Sequence, residues 1–352
     1  MKGIKKIFAV LISVLLVFCS LGVIAGASGR KAALPASAGI NALRNEFVGD
    51  VAPKADGYAL DYEYYSPVGK NDDGKYPLVI FLHGIGHGDY VGSQVDDSDF
   101  PYWASSELQS RFTEGGAFIL LPRAPEHNLV YWSKSLIPAL RAVIDDMIDK
   151  HGDNIDTTKI FIGGSSAGGE MTWDMIIAFP EYFAGAFPMA ATGTVSAQDT
   201  QKCADVAIWM IASTKDPVIS YVATTTPLWN NVCKYNNNPG NCRLSSIGKV
   251  REPAGGSASD NHHMAKVVTY DFHMLDESTY PDVTHIDGAG NEIKLNSPNG
   301  IIYWMNTVSS SYSGENGDGS GNINVSGLTN MFDAIRNFFL KIVNIFQKLF
   351  GL

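Results

Sequence analysis

Residues 160–169, with the sequence IFIGGSSAGG, constrain the fold of this chain more than any other segment. An apolar run typical of a β-strand leads into the pattern Gly-x-Ser-x-Gly, from Gly164 to Gly168, and residues 171–179 then predict a helix. A serine on a tight turn between a strand and a helix is held clear of the backbone, where a histidine can take its proton. Ser166 is therefore the candidate nucleophile. The alternative is a glycine- and serine-rich turn without chemistry.

Apolar strand patterns alternate with helical patterns along most of the chain. The run from Tyr76 to Leu82 is continuously apolar, which is typical of a parallel strand buried on both faces. Such alternation predicts an α/β fold with a mostly parallel central sheet and helices on both faces. The predicted strands cover residues 58–65, 76–82, 117–121, 160–163, 184–191, 206–212 and 242–250, and the predicted helices cover residues 39–47, 136–148, 171–179, 221–235 and 300–308.

The sequence HGIG follows directly after the predicted strand 76–82. An acyl-transfer serine needs N–H donors that hold the negative charge developing on the carbonyl oxygen, and a strand followed by His-Gly is where such a fold supplies one of them. We expect the donors to be the N–H group of Ile85 or Gly86 together with that of Ala167, which follows the nucleophile. The alternative is a glycine turn that only lets the chain leave the sheet.

Asp216 lies just after the apolar strand 206–212 and after the nucleophile in chain order. Ligand-facing residues of α/β sheets gather at the carboxyl ends of strands, so Asp216 is the candidate acid that would orient a catalytic histidine. An ordinary Asp-Pro turn is the alternative.

The catalytic histidine should lie in the loop after the next predicted strand. His262 is the first histidine there, and we take it as the base, with His263 as the next candidate. His285 and His273 follow later in the chain and rank behind these two.

At this point the sequence resembles a known family. The resemblance covers the chain from Leu60 to Asp216, nearly half of it, and rests on the segments YPLVIFLHG, LPRAP, IDTTKIFIGGSSAGG, PEYFAGA and STKD. These segments resemble the secreted polyhydroxybutyrate-depolymerase-like and carbohydrate-esterase branch of the α/β-hydrolases, some of which are labelled predicted peptidases. The family often has the motif H-x-x-W at its catalytic histidine, whereas this chain has His262 with alanine at position 265.

The resemblance implies an α/β-hydrolase fold and hydrolysis of esters on plant cell-wall polysaccharides or on polyesters. With the residues above, it predicts a serine carboxylic-ester hydrolase that uses a Ser166, His262 and Asp216 triad and needs no cofactor or metal. Two rival interpretations stay open: a serine peptidase with the same triad, and a non-catalytic cell-surface binding protein. Aromatic residues near a strand end more often belong to the core, and stacking on a sugar or aromatic group is the alternative for three of them: Trp103, Tyr131 and Trp132.

The first residues of the chain predict export. Residues 1–27 combine three lysines, an apolar stretch and the sequence AGA, which together are typical of a signal peptide cleaved after Ala27. We therefore expect a secreted, extracellular protein, and association with the cell surface stays open as an alternative. The formal net charge of −10 becomes −13 when the three lysines of residues 1–27 are removed, and such an acidic protein is not expected to bind nucleic acid.

Three cysteines remain after this cleavage, and an exported protein can form disulfides. A bridge between Cys203 and Cys242 and a bridge between Cys233 and Cys242 are both compatible with the sequence. The spacing of cysteines and histidines does not match a zinc site.

The last part of the chain differs in composition from the catalytic domain, which we assign to residues 28–308. Residues 309–326 are rich in Gly, Ser and Asn and predict a flexible linker. Residues 327–352 predict an amphipathic helix, whose apolar stripe runs from Leu328 to Leu352 and whose net charge is +2 from one acidic and three basic residues. This helix could bind a membrane surface, self-associate or pack on the catalytic domain.

Overall fold

The computed structural model describes residues 42–69, 74–85, 100–125, 132–191, 195–248, 250–251, 258–259, 263, 283–293 and 300–312. The chain divides into two units, Met1–Ser313 and Gly314–Leu352. The predicted signal peptide and the predicted C-terminal helix both lie outside the described residues. Among the helices that are described, none has the length and apolarity needed to cross a membrane.

A large sheet forms the centre of the first unit. The strands of the described part of the chain are β1 Val48–Val51, β2 Asp61–Tyr65, β3 Tyr76–Leu82, β4 Phe118–Pro122, β5 Ile155–Ser165, β6 Gly185–Met189, β7 Ala207–Ser213, β8 Arg243–Ile247, β9 Val250–Arg251, β10 Ala258–Ser259 and β11 Val283–Asp287. The order of strands in the sheet is β1-β2-β4-β3-β5-β6-β7-β8-β11, in which the strands from β4 to β8 run parallel while β1, β2 and β11 run antiparallel to their neighbours. The short strands β9 and β10 pair separately.

Helices cover both faces of this sheet. Along β3, Leu78 and Ile80 point into one apolar cluster while Val79 and Phe81 point into the other, because successive side chains of a strand alternate between faces. The described helices are α1 Ser106–Gln109, α2 Ile137–His151, α3 Ala167–Ala178, α4 Ala197–Lys202, α5 Thr226–Tyr235 and α6 Ile301–Thr307. Helices α2, α3 and α5 contribute to the first cluster, and α1 and α6 contribute to the second. The predicted fold class is confirmed.

Several elements differ from the sequence prediction at their ends. Strand β5 begins at Ile155 rather than at residue 160. Tyr76 of β3 pairs with Ile155 and Leu78 of β3 pairs with Ile160, so a shift in register includes the polar residues 156–159 in the strand. The predicted helix 39–47 is helical only at residues 42–44 within its described part, and strand β1 follows it. The predicted strand 242–250 ends at Ile247.

The described part of the domain continues past residue 308, where the sequence predicts the linker to begin. The Ser310 N–H group donates to the Thr158 carbonyl oxygen at 2.8 Å. The ring of Tyr312 packs on that of Tyr182, with a centroid distance of 4.4 Å. Residues 309–312 therefore lie against the catalytic domain.

Candidate active site

The backbone of Ser166 is strained as expected for a nucleophile elbow. Ser166 lies between the end of β5 and the start of α3, with φ of 57° and ψ of −120°. A non-glycine residue in a sparsely populated backbone region costs about 1–3 kcal/mol and persists only where the surrounding structure imposes it. The Ser166 N–H group donates to the Met189 carbonyl oxygen on β6 at 2.9 Å, which fixes the turn. Ser166 is half-buried, whereas Ser165 is buried within β5.

Close approach of three backbone segments makes this turn dependent on glycine. A Cβ atom at Gly168 would lie 2.1 Å from the Leu82 carbonyl oxygen, and one at Gly164 would lie 2.5 Å from the carbonyl of Gly168. A Cβ atom at Gly84 would lie 3.5 Å from that of Ser166. The turn after β3 is thus packed directly beside the candidate nucleophile.

The Asp216 carboxylate is held by three donors at the carboxyl end of β7. Its Oδ1 atom accepts the N–H groups of Val218 and Ile219 at 2.8 and 2.9 Å, and its Oδ2 atom lies 2.8 Å from Nδ1 of His263. Only 2% of this side chain is exposed. Burial by itself would raise the pKa of Asp216, but the hydrogen bonds from His263, Ile219 and Val218 and the charge of His263 outweigh it, so the pKa lies below its ordinary value.

Among the described residues, the histidine that contacts Asp216 is His263, whereas the sequence favoured His262. His263 ranked second because both histidines follow the same strand, and sequence order alone placed His262 first. His262 lies outside the described residues, as does His273. A carboxylate at Nδ1 holds the proton on that nitrogen, which leaves the Nε2 lone pair as the site that can accept a proton.

His285 has a structural environment in the sheet. It lies within β11 opposite Ser245, and its Nδ1 atom is 2.8 Å from Ser245 Oγ. That oxygen also accepts the Trp209 indole N–H at 2.7 Å, so the Ser245 hydroxyl links the His285 ring to the Trp209 ring. Burial lowers the pKa of His285 to about 4, and its imidazole is neutral near pH 7. The candidate role of His285 as the base is not supported.

The His-Gly turn after β3 is fixed by the His83 imidazole. Its Nε2 atom accepts the Ala124 N–H at 3.1 Å, so the proton must be on Nδ1, which donates to the Gly84 carbonyl oxygen at 2.8 Å. The Trp132 indole N–H donates to the His83 carbonyl oxygen at 3.0 Å. His83 therefore supports the turn that carries Ile85, and its own ring is committed to backbone groups.

The expected oxyanion donors are described in part. Ile85 lies in the turn beside Ser166, and Ala167 is the first residue of α3, whose first N–H groups have no acceptor within the helix. Gly86 lies outside the described residues. Of the three aromatic residues considered for substrate contact, Trp103 and Trp132 are 0% and 4% exposed and belong to the core, which is the role that the sequence favoured. Tyr131 lies outside the described residues.

Strand register places the candidate catalytic groups on one edge of the sheet. Ser165 pairs with Met189 and Met189 pairs with Ile211, so Ser166 and Asp216 follow strands that are two positions apart. Two strand spacings are about 10 Å, a gap that one imidazole ring between a serine and a carboxylate can bridge. The edge therefore combines a strained serine, a buried carboxylate and the imidazole bound to it.

The described residues do not form a metal site, since no group of three or more His, Cys, Asp or Glu side chains among them could hold an ion. Cys203, Cys233 and Cys242 are free thiols, so neither of the two bridges considered from the sequence is formed.

Comparison with known proteins identifies the fold. No protein-family model and no curated protein matches the sequence. The crystal structure of a thermostable esterase matches 76% of this chain at 25% identity with a TM-score of 0.57. The protein has the α/β-hydrolase fold. This α/β-hydrolase chain spans 64% of the length of that esterase.

Two further solved structures are more distant. A feruloyl esterase module from Clostridium thermocellum complexed with sinapinate matches 53% of this chain and 72% of its own, at 14% identity and a TM-score of 0.42. An acylaminoacyl peptidase from Pyrococcus horikoshii matches 54% of this chain and 35% of its own, at 14% identity and a TM-score of 0.39.

Proposed function

We propose that the protein is a serine carboxylic-ester hydrolase with Ser166, His263 and Asp216 as its catalytic triad. The observation that carries the proposal is the 2.8 Å contact between His263 Nδ1 and Asp216 Oδ2 on the sheet edge that also holds the strained Ser166. A buried aspartate that pairs with an imidazole orients the ring and stabilises its protonated form, which is what a serine nucleophile requires.

Each step of the reaction has a named group. Nε2 of His263 takes the Ser166 hydroxyl proton as Oγ bonds to the ester carbonyl carbon, and the oxyanion is held by the N–H groups of Ala167 and of Ile85 or Gly86. The imidazolium then gives its proton to the departing alcohol oxygen, which leaves an acyl-serine. Water, deprotonated by the same imidazole, attacks the acyl carbon, and the proton returns to Ser166 as the carboxylic acid leaves.

The nucleophile assignment is tested with a pair of adjacent serines. Ser166→Ala should lower kcat for a p-nitrophenyl ester by about 10⁶, because the triad acts as a unit. Ser165→Ala should be far milder, since this side chain is buried within β5. A fluorophosphonate probe should label Ser166, as shown by peptide mass. An inactive Ser165→Ala variant beside an active Ser166→Ala variant would reject the assignment, and turnover of peptide amides without turnover of esters would identify a peptidase.

The base assignment is tested with three histidine variants. His263→Ala should reduce kcat by several orders of magnitude, to the same level as Ser166→Ala. His262→Ala and His285→Ala should retain most of the activity, provided that circular dichroism shows a folded protein. If the His262 variant is the inactive one, the contact between His263 and Asp216 serves structure and the triad proposed here is wrong.

Export and a polymeric substrate are part of the same proposal. The N-terminal pattern supports cleavage after Ala27, and the resemblance to polyester and carbohydrate esterases supports an ester on a polymer. The mature protein recovered from the culture medium should begin at Ser28, and it should release acid from an acylated polysaccharide or an aliphatic polyester. A retained residue 1–27 segment would contradict export by this route.

The C-terminal segment completes the proposal as an attachment element. The apolar stripe between Leu328 and Leu352 and its net charge of +2 favour an anionic membrane surface. Deletion of residues 327–352 should leave kcat/KM for soluble esters unchanged and move the protein from the cell fraction into the medium. Loss of activity, or an unchanged distribution between the two fractions, would contradict this role.

A further inference from the structure

Three exposed apolar side chains lie on segments that follow the carboxyl ends of β3 and β7, the sheet edge that holds the proposed catalytic groups. Ile85, Val218 and Val222 are 48%, 59% and 78% exposed. We call these three residues the apolar rim. Single exposed valines and isoleucines are common on proteins, so the position of the three matters more than their exposure.

Two of the rim residues, Ile85 and Val218, are placed beside the proposed catalytic groups by the backbone around them. Ile85 follows Gly84, which packs beside Ser166. Val218 donates its N–H group to Asp216 Oδ1 at 2.8 Å, so the loop that positions the acid also presents this side chain. The next residue, Ile219, donates to the same oxygen but is only 8% exposed. The loop therefore turns Ile219 inward and Val218 outward.

Val222 is held by a short π-helical turn, Tyr221–Thr225, that follows the acid loop. The Ser220 side chain accepts the Ala223 N–H at 3.2 Å, and the Tyr221 hydroxyl contacts the Ser246 hydroxyl of β8. Thr225 is buried at the other end of the turn. Turns of this kind are often found at functional sites, and this one presents a valine to solvent on a fixed support.

We propose that the apolar rim binds the hydrocarbon part of the ester substrate, so that the enzyme prefers esters with several methylene groups over acetyl esters. The proposal rests on the proposed esterase function and names the substrate class of the same site. Burial of one methylene group strengthens binding by up to a factor of about four. Because the rim is open to water on one side, each methylene group should contribute roughly half of that free energy, which is a factor of about two in binding.

The test measures kcat/KM for two series of p-nitrophenyl or alkyl esters, one lengthened on the acyl side and one on the alcohol side. For the wild type, at least one series should rise by roughly tenfold or more from two to six carbons. Val222→Ser and Val218→Ser should each reduce that rise by about threefold or more, since each change replaces apolar contact area with a hydroxyl. The matched control is Val51→Ser: Val51 is 52% exposed but lies in β1, four strands from β5.

A binding measurement separates this proposal from the proposed function. In the Ser166→Ala background, the affinity for a hexanoyl ester should exceed that for the acetyl ester, and the difference should shrink when Val222→Ser is added but not when Val51→Ser is added. If binding depends on chain length but the wild type does not hydrolyse the esters, the esterase function is rejected while the role of the apolar rim in binding hydrocarbon is supported. A flat chain-length profile in both series, or equal effects of Val222→Ser and Val51→Ser, would overturn the rim.

Discussion

Replacing Asp216 by asparagine isolates the electrostatic part of the proposed triad. Both backbone N–H donors, from Val218 and Ile219, go to Oδ1, so an asparagine carbonyl oxygen can keep them and the loop can keep its shape. The asparagine amide then takes the place of Oδ2 and presents N–H groups to His263 Nδ1. The imidazole must accept there and carry its proton on Nε2, where it can no longer take the Ser166 proton.

The expected loss follows from this change of tautomer. An aspartate-to-asparagine change in a serine-protease triad lowers kcat by about 10⁴, which corresponds to about 5.5 kcal/mol in the activation barrier. Asp216→Asn should lower kcat for a p-nitrophenyl ester by about the same factor, with KM nearly unchanged. Initial rates at saturating ester, with folding checked by circular dichroism, measure the effect.

The same variant has a pH-dependent effect on stability. The pKa of folded Asp216 lies below its ordinary 3.8, because the hydrogen bonds to the carboxylate outweigh the effect of burial. The ionised group therefore adds stability above pH 3.8, and this contribution is lost as the pH falls through the folded pKa. The difference in urea midpoint between the wild type and Asp216→Asn should therefore become smaller as the pH falls through the pKa of the folded Asp216 carboxyl group.

Asp287→Asn is the matched control for this prediction. The Asp287 carboxylate accepts the N–H groups of Ala289 and Asn291 at 3.0 and 2.8 Å in the turn after β11, an arrangement similar to that of the Asp216 loop. Its replacement should leave kcat within a factor of about two of the wild type. The reasoning is refuted if Asp216→Asn keeps more than a tenth of the wild-type kcat, or if the two variants lose activity equally.

Further predictions concern packing and the thiols. Gly168→Ala should lower the free energy of unfolding by about 3 kcal/mol or more, because the new Cβ atom would lie 2.1 Å from the Leu82 carbonyl oxygen. The control Gly240→Ala, whose Cβ atom would have nothing within 4 Å, should leave the urea midpoint unchanged. Equal urea midpoints for the two variants would contradict the close packing of the elbow. In native protein, iodoacetamide should modify the half-buried Cys233 first. The buried Cys203 and Cys242 should react only in denaturant, since burial raises the pKa of each thiol to about 12. A mass of the unmodified protein that is lower by two hydrogen atoms would instead reveal a disulfide.

The elbow and the sheet were predictable because local chemistry decides them. The Gly-x-Ser-x-Gly pattern is contained in residues 164–168 and follows an apolar run, and the continuous apolar run of β3 indicates burial on both faces. Asp216 could be located for the same reason, since it follows an apolar strand directly and its partners Val218 and Ile219 lie within three residues. These assignments depend on sequence neighbours only.

Only the tertiary structure shows which described imidazole meets the Asp216 carboxylate. His262 and His263 are consecutive in a stretch without a strong periodic pattern, and the carboxylate that His263 contacts is 47 residues away in sequence. His285 shows the same limit: only its pairing with Ser245 across β8 and β11 reveals a buried, neutral core histidine. Residue type and order along the chain therefore determined which groups could form the site. Long-range packing decided which of them meet, because a hydrogen bond depends on distances and directions that the order of residues does not encode.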